Sequence, residues 1–261
     1  MKITAFIIAA VMSCLTWACV YEIDKPLPEC DLSVAAVNLT EKNDSYDEAI
    51  AEITAVGADV VMLSGFGEGW ETIGARFEEK GYAVSFHTEV FEREVFRLAF
   101  LVKKEIEVGE TVACGEAYIN GYPGQNAKLG ILRLNINGHS VTLLTMNPVR
   151  YDKFVSGLLD RISDGRFVYE NRDPDVKIDG EPVIWGGDFG FLPSSRLYQE
   201  FGQSGLTDAH TADDHRYNMT ENNSVRTDYL FCSKTIRPSF SGTFRVSGSN
   251  HRGVVAGFSF Q

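Results

Sequence analysis

Four polar residues stand where apolar stretches end. Asp188 follows a buried-looking run and two glycines in "EPVIWGGDFGFLPSS" (181–195). Asp228 lies in "RTDYLF", His251 in "SNHRGVV", and Asn38 closes "LSVAAVN". Two carboxylates, an imidazole and an amide are groups that move protons, orient water and hold an oxyanion. One at a time, each has a plainer use. Asp188 makes a turn after Gly-Gly, Asp228 caps an element or pairs with Arg226, His251 is solvated in a loop, and Asn38 closes a turn. As a set they are more informative, because buried strands would carry all four to one edge, where ligands usually collect. Gly190 is the odd position. A chemistry-bearing loop is expected to carry a second polar group two residues after Asp188, and here it carries none.

The elements that must position these residues alternate strand and helix. "LSVAAVN" (32–38) and "DVVML" (59–63) read as buried strands, and "PVIWGGD" (182–188) as a third. "SYDEAIAEITAVG" (45–57) and "WETIGARFEEKG" (70–81) have apolar residues at helical spacing and a glycine stop. "YAVSFHT" and "FRLAFLVKK" alternate as strands do. "KLGILRLNINGHSVTLLTMN" (128–147) is a hairpin whose Asn-Gly at 137–138 predicts a type I′ turn. "KFVSGLLDRI" (153–162) predicts a helix, and "SSRLYQEFG" a short one opened by serines. "TDYLFC", "SFSGTFRVS" and "GVVAGFSF" are late strands. No repeat or low-complexity run divides the chain. Many strands, some buried on both faces and some hairpin-paired, with few helices, predict one α/β sandwich domain over 31–261: two sheets packed together with helices outside.

The 261 residues are 44% hydrophobic and 23% charged, enough for a sizeable core. A net charge of -12 argues against sequence-independent binding to a polyanion, whose affinity comes from Lys and Arg neutralising phosphates. It leaves room for a metal bridging the protein to one phosphate. At the N-terminus Lys2 precedes "ITAFIIAAVM", too short to span a bilayer. Residues 1–18 therefore read as a signal, with two exits. "TWAC" fits a cut before Cys19, and "VMSC" resembles a lipobox that leaves Cys14 lipidated and the protein membrane-anchored. Both predict a chain that leaves the cytoplasm, secreted or held at the periplasm or cell surface. Residues 19–30 read as a polar linker. The five cysteines include no CxxC pair, which argues against zinc. One or two disulfides among Cys19, Cys30, Cys114 and Cys232 suit an oxidising compartment.

Read in order, "VAAVN", "ADVVMLSG", "LAFLV", "VTLLTMN", "VIWGGDFG", "LTDAH", "RTDYLF" and "SNHRGVVAGF" resemble the endonuclease/exonuclease/phosphatase superfamily over nearly the whole chain beyond the signal. The specific parts are "GGDFG", "RTDYLF" and "SNHRGVVA". The resemblance implies a four-layer α/β/β/α sandwich of two mixed sheets, like that of DNase I. It implies in-line attack of water on a phosphoric ester with Mg²⁺ or Mn²⁺. Asn38 then matches the first-strand Asn that helps the metal, Asp188 the acid that orients or deprotonates water, Asp228 the Asp of the family's Asp-Tyr strand, and His251 the phosphate-contacting histidine.

The match is partial. The family's metal Glu falls at Gly65, its Gly-Asp-Phe-Asn amide at Gly190, the acid before its late His at Asn250, and its mid-chain His at Asn147. The remaining candidates for a metal are Asn38, Asn250 and Glu68; Glu68 reaches the vacant position only if "GFGEG" folds back, and otherwise is a solvated acid before a helix. Losing a carboxylate ligand typically costs at least about 10–100-fold in affinity or activity. The leading expectation is thus an exported protein of this fold with weak or no catalysis. The alternatives are a divergent metal-dependent phosphodiesterase or phosphoesterase, and an unrelated secreted binding protein. The substrate class stays open among a phosphate-containing small molecule, a lipid head group and nucleic acid. Arg150, Arg226, Arg245 and Arg252 read either as anion contacts at the site edge or as surface ion-pairing residues.

Overall fold

The structure is a computed structural model that describes residues 22–40, 43–66, 70–86, 97–112, 116–117, 127–147, 159, 182–211, 219–222 and 224–260. Thirteen strands form two sheets among these residues. The first sheet runs β12-β13-β1-β2-β4-β3, built from β1 (Leu32–Asn38), β2 (Val60–Phe66), β3 (Tyr82–Phe86), β4 (Arg97–Lys103), β12 (Ile236–Phe244) and β13 (Gly253–Phe260). The second runs β10-β11-β9-β8-β7-β5, with β6 added on β7. Its strands are β5 (Val108–Val112), β6 (Glu116–Ala117), β7 (Ala127–Ile136), β8 (His139–Asn147), β9 (Val183–Asp188), β10 (Leu206–Asp208) and β11 (Asp228–Ser233). Both sheets are mixed: β1 runs parallel to β2 and β8 to β9, and the other pairings are antiparallel.

Three apolar layers separate these sheets from each other and from solvent. Between the sheets lie Val34, Ala36, Met62, Phe100, Leu143, Ile184, Leu230 and Ala256. Helices α1 (Tyr46–Val56) and α2 (Trp70–Glu79) cover the outer face of the first sheet through Ile50, Ile53, Ile73 and Phe77. Helix α3 (Arg196–Gln203) covers the second through Leu197 and Phe201, which pack on Trp185, Phe189 and Phe231. This is the four-layer sandwich that the motifs implied. Alternation along β9 and β11 explains it: Ile184 and Leu230 face the other sheet, while Trp185 and Phe231 face the helix.

Local signals behave as their chemistry dictates. Gly57 ends α1 in the left-handed conformation, φ 73°, and its N–H bonds to Thr54 O. Ser195 caps α3, its Oγ accepting from Tyr198 N at 3.2 Å. Asn137 and Gly138, at φ 53° and 83°, make the turn between β7 and β8. Strands β5, β6 and β10 are additions to the sequence reading. They are short edge or near-edge strands without a long apolar run.

Residues 22–30 pack on the domain. Ile23 is buried, its N–H bonds to Thr243 O, and Leu27 and Cys30 join the core under α1. Cys30 and Cys232 are free thiols in different apolar layers, so neither forms one of the expected disulfides. Cys14, Cys19, Cys114, the N-terminal signal and all of "KFVSGLLDRI" except Leu159 lie outside the described residues. Among the described residues no helix is long and apolar enough to cross a membrane.

Candidate functional site

At one end of the sandwich the apolar layer between the sheets runs out, and polar groups replace it. Asp188 and Asp228 are register partners on the antiparallel pair β9–β11, so their carboxylates stand directly opposite each other. They continue the inward-facing series of Ile184 and Leu230. Asn38 ends β1 in the facing sheet, two residues beyond inward-facing Ala36. His251 precedes β13. The structure thus brings all four strand-end residues to one place. Gly186 lets the sheets close beneath them: a Cβ there would lie 2.6 Å from Leu230 and 2.7 Å from Met62.

Each group is aimed by its own local backbone. Asp188 Oδ1 accepts from Gly190 N at 3.0 Å, and Asn38 Oδ1 accepts from Thr40 N at 3.1 Å. These are Asx turns, in which the side chain bonds to the backbone two residues on. Both close on a left-handed residue, Gly190 at φ 64° and Thr40 at φ 60°. Glycine at 190 thus has a use: it folds the turn that orients Asp188. His251 is aimed in a related way, its N–H donating to Ser249 Oγ at 3.0 Å, while Ser249 Oγ donates to Asn38 O at 2.7 Å.

The contacts across the site follow. Because Thr40 N–H must donate, the Asn38 oxygen faces Thr40 and its Nδ2 faces Asp188 Oδ2, donating at 3.0 Å. His251 Nδ1 lies 2.9 Å from Asp228 Oδ2, which also accepts from Thr227 Oγ1 at 3.1 Å. His251 Nε2 points toward Asp188 Oδ2, 3.9 Å away. Burial, and then the charge of Asp228, push Asp188 up to about 7, although His251, Gly190 N–H and Asn38 pull the other way. Burial would lower His251, but the Asp228 hydrogen bond and the charges of Asp228, Asp188 and Glu221 outweigh it and raise it to about 9. At neutral pH the site holds an imidazolium beside a carboxyl group near its midpoint.

Among the described residues Asp188, Asp228 and His251 are a group that could hold a metal ion, with ligand atoms within 4.8 Å of one another. As arranged, the set suits hydrogen bonds better than Mg²⁺ or Mn²⁺. Asp228 and His251 satisfy each other, both Asp188 oxygens face N–H donors, and the Asn38 oxygen is committed to Thr40. A hard cation wants several oxygen ligands. Gly65 offers no side-chain oxygen. It sits at φ 71° in a bulge of β2 opposite Leu98 and Arg97, and a Cβ there would lie 2.0 Å from Asn38 Oδ1.

The other predicted residues fall away from this cluster or outside the description. Asn250 is exposed, and its carbonyl accepts from Asn222 N. Glu68 and Arg150 lie outside the described residues, and Asn147 is described only as the last residue of β8. Arg226 is buried and pairs with Asp208 at 2.7 Å, its guanidinium 4.4 Å from the Tyr229 ring centroid. Asp208 is held below the usual carboxylate range: burial alone would raise it, but the Arg226 guanidinium dominates in sum with its other partners. Arg252 pairs with Glu22 and Arg245 is exposed beside Glu52. Of these arginines, only Arg226 had an ion pair foreseeable from sequence, and its partner is Asp208, 18 residues away, instead of its neighbour Asp228.

No family model matches the sequence, and no curated protein matches it. Solved structures do. The catalytic domain of human Nocturnin, determined with a bound sulfate anion, matches with TM-score 0.68 and 16% identity over 90% of this chain and 97% of that one. An endonuclease/exonuclease/phosphatase family protein from Bacteroides thetaiotaomicron matches with TM-score 0.66 and 15% identity over 88% and 98%. This chain has the endonuclease/exonuclease/phosphatase fold. The mannosyl-6-phosphatase of Bacteroides thetaiotaomicron shares it, with TM-score 0.65 and 16% identity over 88% of this chain and 100% of that one. At these identities the likeness is one of fold, and the site has to be read from its own residues.

Proposed function

We propose that the protein is an exported phosphate-ester-binding protein, secreted or lipid-anchored, in which metal-assisted hydrolysis is weak or lost. The observation that carries this reading is the pairing of Gly65 with Asn38. Where a ligand carboxylate would have to begin, the backbone is left-handed and the Asn38 amide fills the space. The binding half of the reading rests on donors. His251 Nε2–H, on a cationic ring, and the Asn38 amide both converge on Asp188 Oδ2, at 3.9 Å and 3.0 Å. Both suit a tetrahedral oxyanion. Nocturnin's bound sulfate and the mannosyl phosphatase point to the same ligand chemistry on the same fold. The net charge of -12 favours a small ester or a lipid head group over long nucleic acid.

A second reading, a divergent phosphoesterase, is favoured by Asp188. A carboxyl with its midpoint near 7 is matched to general-base work at neutral pH. Asp188 would take the proton of a water whose oxygen attacks phosphorus. The phosphorus–oxygen bond to the leaving group breaks, and His251 Nε2–H stabilises the charge that develops on the phosphoryl oxygens. A divalent ion, where bound, adds Lewis-acid polarisation of the phosphoryl group.

The test is turnover of bis-p-nitrophenyl phosphate and p-nitrophenyl phosphate with and without Mn²⁺, beside melting curves with inorganic phosphate and with Mn²⁺. The first reading expects a Tm rise with phosphate, none with Mn²⁺, and no turnover that depends on Asp188. Turnover abolished both by EDTA and by Asp188→Ala selects the second.

A further inference from the structure

Asp228 and His251 are 23 residues apart and belong to different sheets, β11 in one and the approach to β13 in the other. No strand pairing joins β11 to β13. Packed sheets touch through side chains alone, and such a contact fixes a 2.9 Å hydrogen bond less sharply than a backbone ladder does. Something else must set the distance between the two strand ends.

Thr220 stands between them, fully buried. Its Oγ1 accepts from Thr227 N at 3.0 Å and from Asp228 N at 3.1 Å. Its carbonyl accepts from Arg252 N at 2.7 Å, and its own N–H donates to Val225 O at 2.8 Å. The neighbours extend this bracket: Glu221 bridges to His251 in antiparallel fashion, and Asn222 N donates to Asn250 O at 2.7 Å. One face of the segment thus holds the backbone of Asp228, and the other holds the backbone on both sides of His251.

We propose that Thr220 is the positioning residue of this site, its hydroxyl and its carbonyl tying the backbones of Asp228 and Arg252 together so that the His251 ring meets the Asp228 carboxylate. A residue with the same shape and no hydroxyl leaves two buried N–H groups without an acceptor. It frees the start of β11 to shift against β13, and the hydrogen bond most exposed to that shift is Asp228–His251. The proposal concerns the same site as the function proposed above, but the dyad geometry can be tested whether or not phosphate binds.

The experiment compares Thr220→Val, Thr220→Ser and the parent protein, each full length and labelled with ¹⁵N-histidine. The first readout is the Nδ1 proton of His251 hydrogen-bonded to Asp228, and the second is the Kd for inorganic phosphate. The parent and Thr220→Ser are expected to keep the low-field Nδ1 proton. Thr220→Val, folded by its circular dichroism, is expected to lose or shift it and to bind phosphate about tenfold more weakly, the worth of one misdirected charged donor. An unchanged Nδ1 proton in folded Thr220→Val overturns the proposal. Absence of phosphate binding in the parent overturns the functional reading and leaves the proton test standing. Should Thr220→Val fail to fold, amide exchange of the parent decides: the bracket requires Asp228 and Arg252 amides to open together with the Thr220–Val225 segment. Exchange of Asp228 with the rest of β11 and of Arg252 with β13 would refute it.

Discussion

The β9–β11 side of the site and the β1–β2 side meet at Asp188, yet they are built differently. On the first, carboxylates and an imidazole satisfy one another: Asp228 holds His251, and His251 faces Asp188. On the second, space that a long acidic side chain would need is taken by backbone and by an amide, with Gly65 left-handed and Asn38 turned inward. The first side keeps groups that move or hold a proton. The second has no room for an acidic side chain at position 65, where a Cβ would meet Asn38 Oδ1 and Thr40 N. A carboxylate placed at position 65 is thus not expected to create a cation site, because its neighbours fill the place.

The largest expected effect tests that closure. Gly65→Glu forces a left-handed backbone on a residue with a Cβ and drives that Cβ into Asn38. Left-handed strain of about 1–2 kcal/mol and overpacking of about 1–3 kcal/mol predict a combined loss of roughly 2–5 kcal/mol in urea unfolding. No Mn²⁺-dependent rise in Tm should accompany it. The Asn38→Ala, Gly65→Glu double variant should recover part of the loss, since the contact is gone while the strain remains. A single variant as stable as the parent that also gains an Mn²⁺ response would show that the β1–β2 side is open after all.

The next effect probes the other side. Asp228→Asn removes the charge that holds His251 and leaves the buried ring facing a neutral amide. Hydrogen bonds to charged groups are worth about 1.5–3 kcal/mol, and a loss of that order is expected at pH 6. The His251 titration, followed by NMR, should fall from about 9 toward its ordinary value. An unmoved midpoint would mean that Asp188 and Glu221 hold the ring by themselves.

Acid–base linkage gives a third, smaller handle. His251 is raised from 6.5 to about 9, so its contribution is complete below about 6.5 and is lost as pH rises through 9. Asp188 is raised from 3.8 to about 7, so the folded state holds that proton more tightly than the unfolded one. Its contribution is present below about 4 and is lost as pH rises through 7. Both slopes have the same sign; Asp208, held low, acts the other way only as pH rises through the ordinary carboxylate range, so Tm should fall from about pH 5 to pH 9. Asp188→Asn should flatten the lower half of that fall and leave the upper half. An equally steep lower half in the variant would place the titration elsewhere in this acidic chain.

The sequence carried the sandwich because its signals were local: long apolar strands, helices stopped by glycine, and an Asn-Gly turn. The four polar strand ends were legible as a set because each closes an apolar run. What could not be read was how they bond. The turns that aim Asp188 and Asn38 depend on left-handed residues at 190 and 40, and a bare Gly or Thr does not announce which way a side chain two residues earlier will face. Thr220 was missed for a similar reason. Its importance lies in contacts to backbones 7, 8 and 32 residues away, and no residue type signals such a bracket. Arg226 and Arg252 offered charge on paper, whereas Asp208 and Glu22 hold them in the fold.

The smallest effect sharpens the comparison most. Gly138 and Gly65 are both left-handed, at φ 83° and 71°, and differ in what a Cβ would meet: nothing within 4 Å at 138, and Asn38 Oδ1 at 2.0 Å at 65. Gly138 lies in the β7–β8 turn, at the end of β8 opposite Asn147, so the polar site is remote from it. Gly138→Ala should therefore cost the torsional part alone, about 1 kcal/mol, with phosphate binding unchanged. Gly65→Ala should cost that and the crowding against Asn38 besides. The difference between the two urea midpoints, converted with a common m-value, measures how firmly the amide occupies the ligand's place. Equal losses would mean that Asn38 swings aside freely, and the closed side of the site would then be closed only by the hand of its backbone.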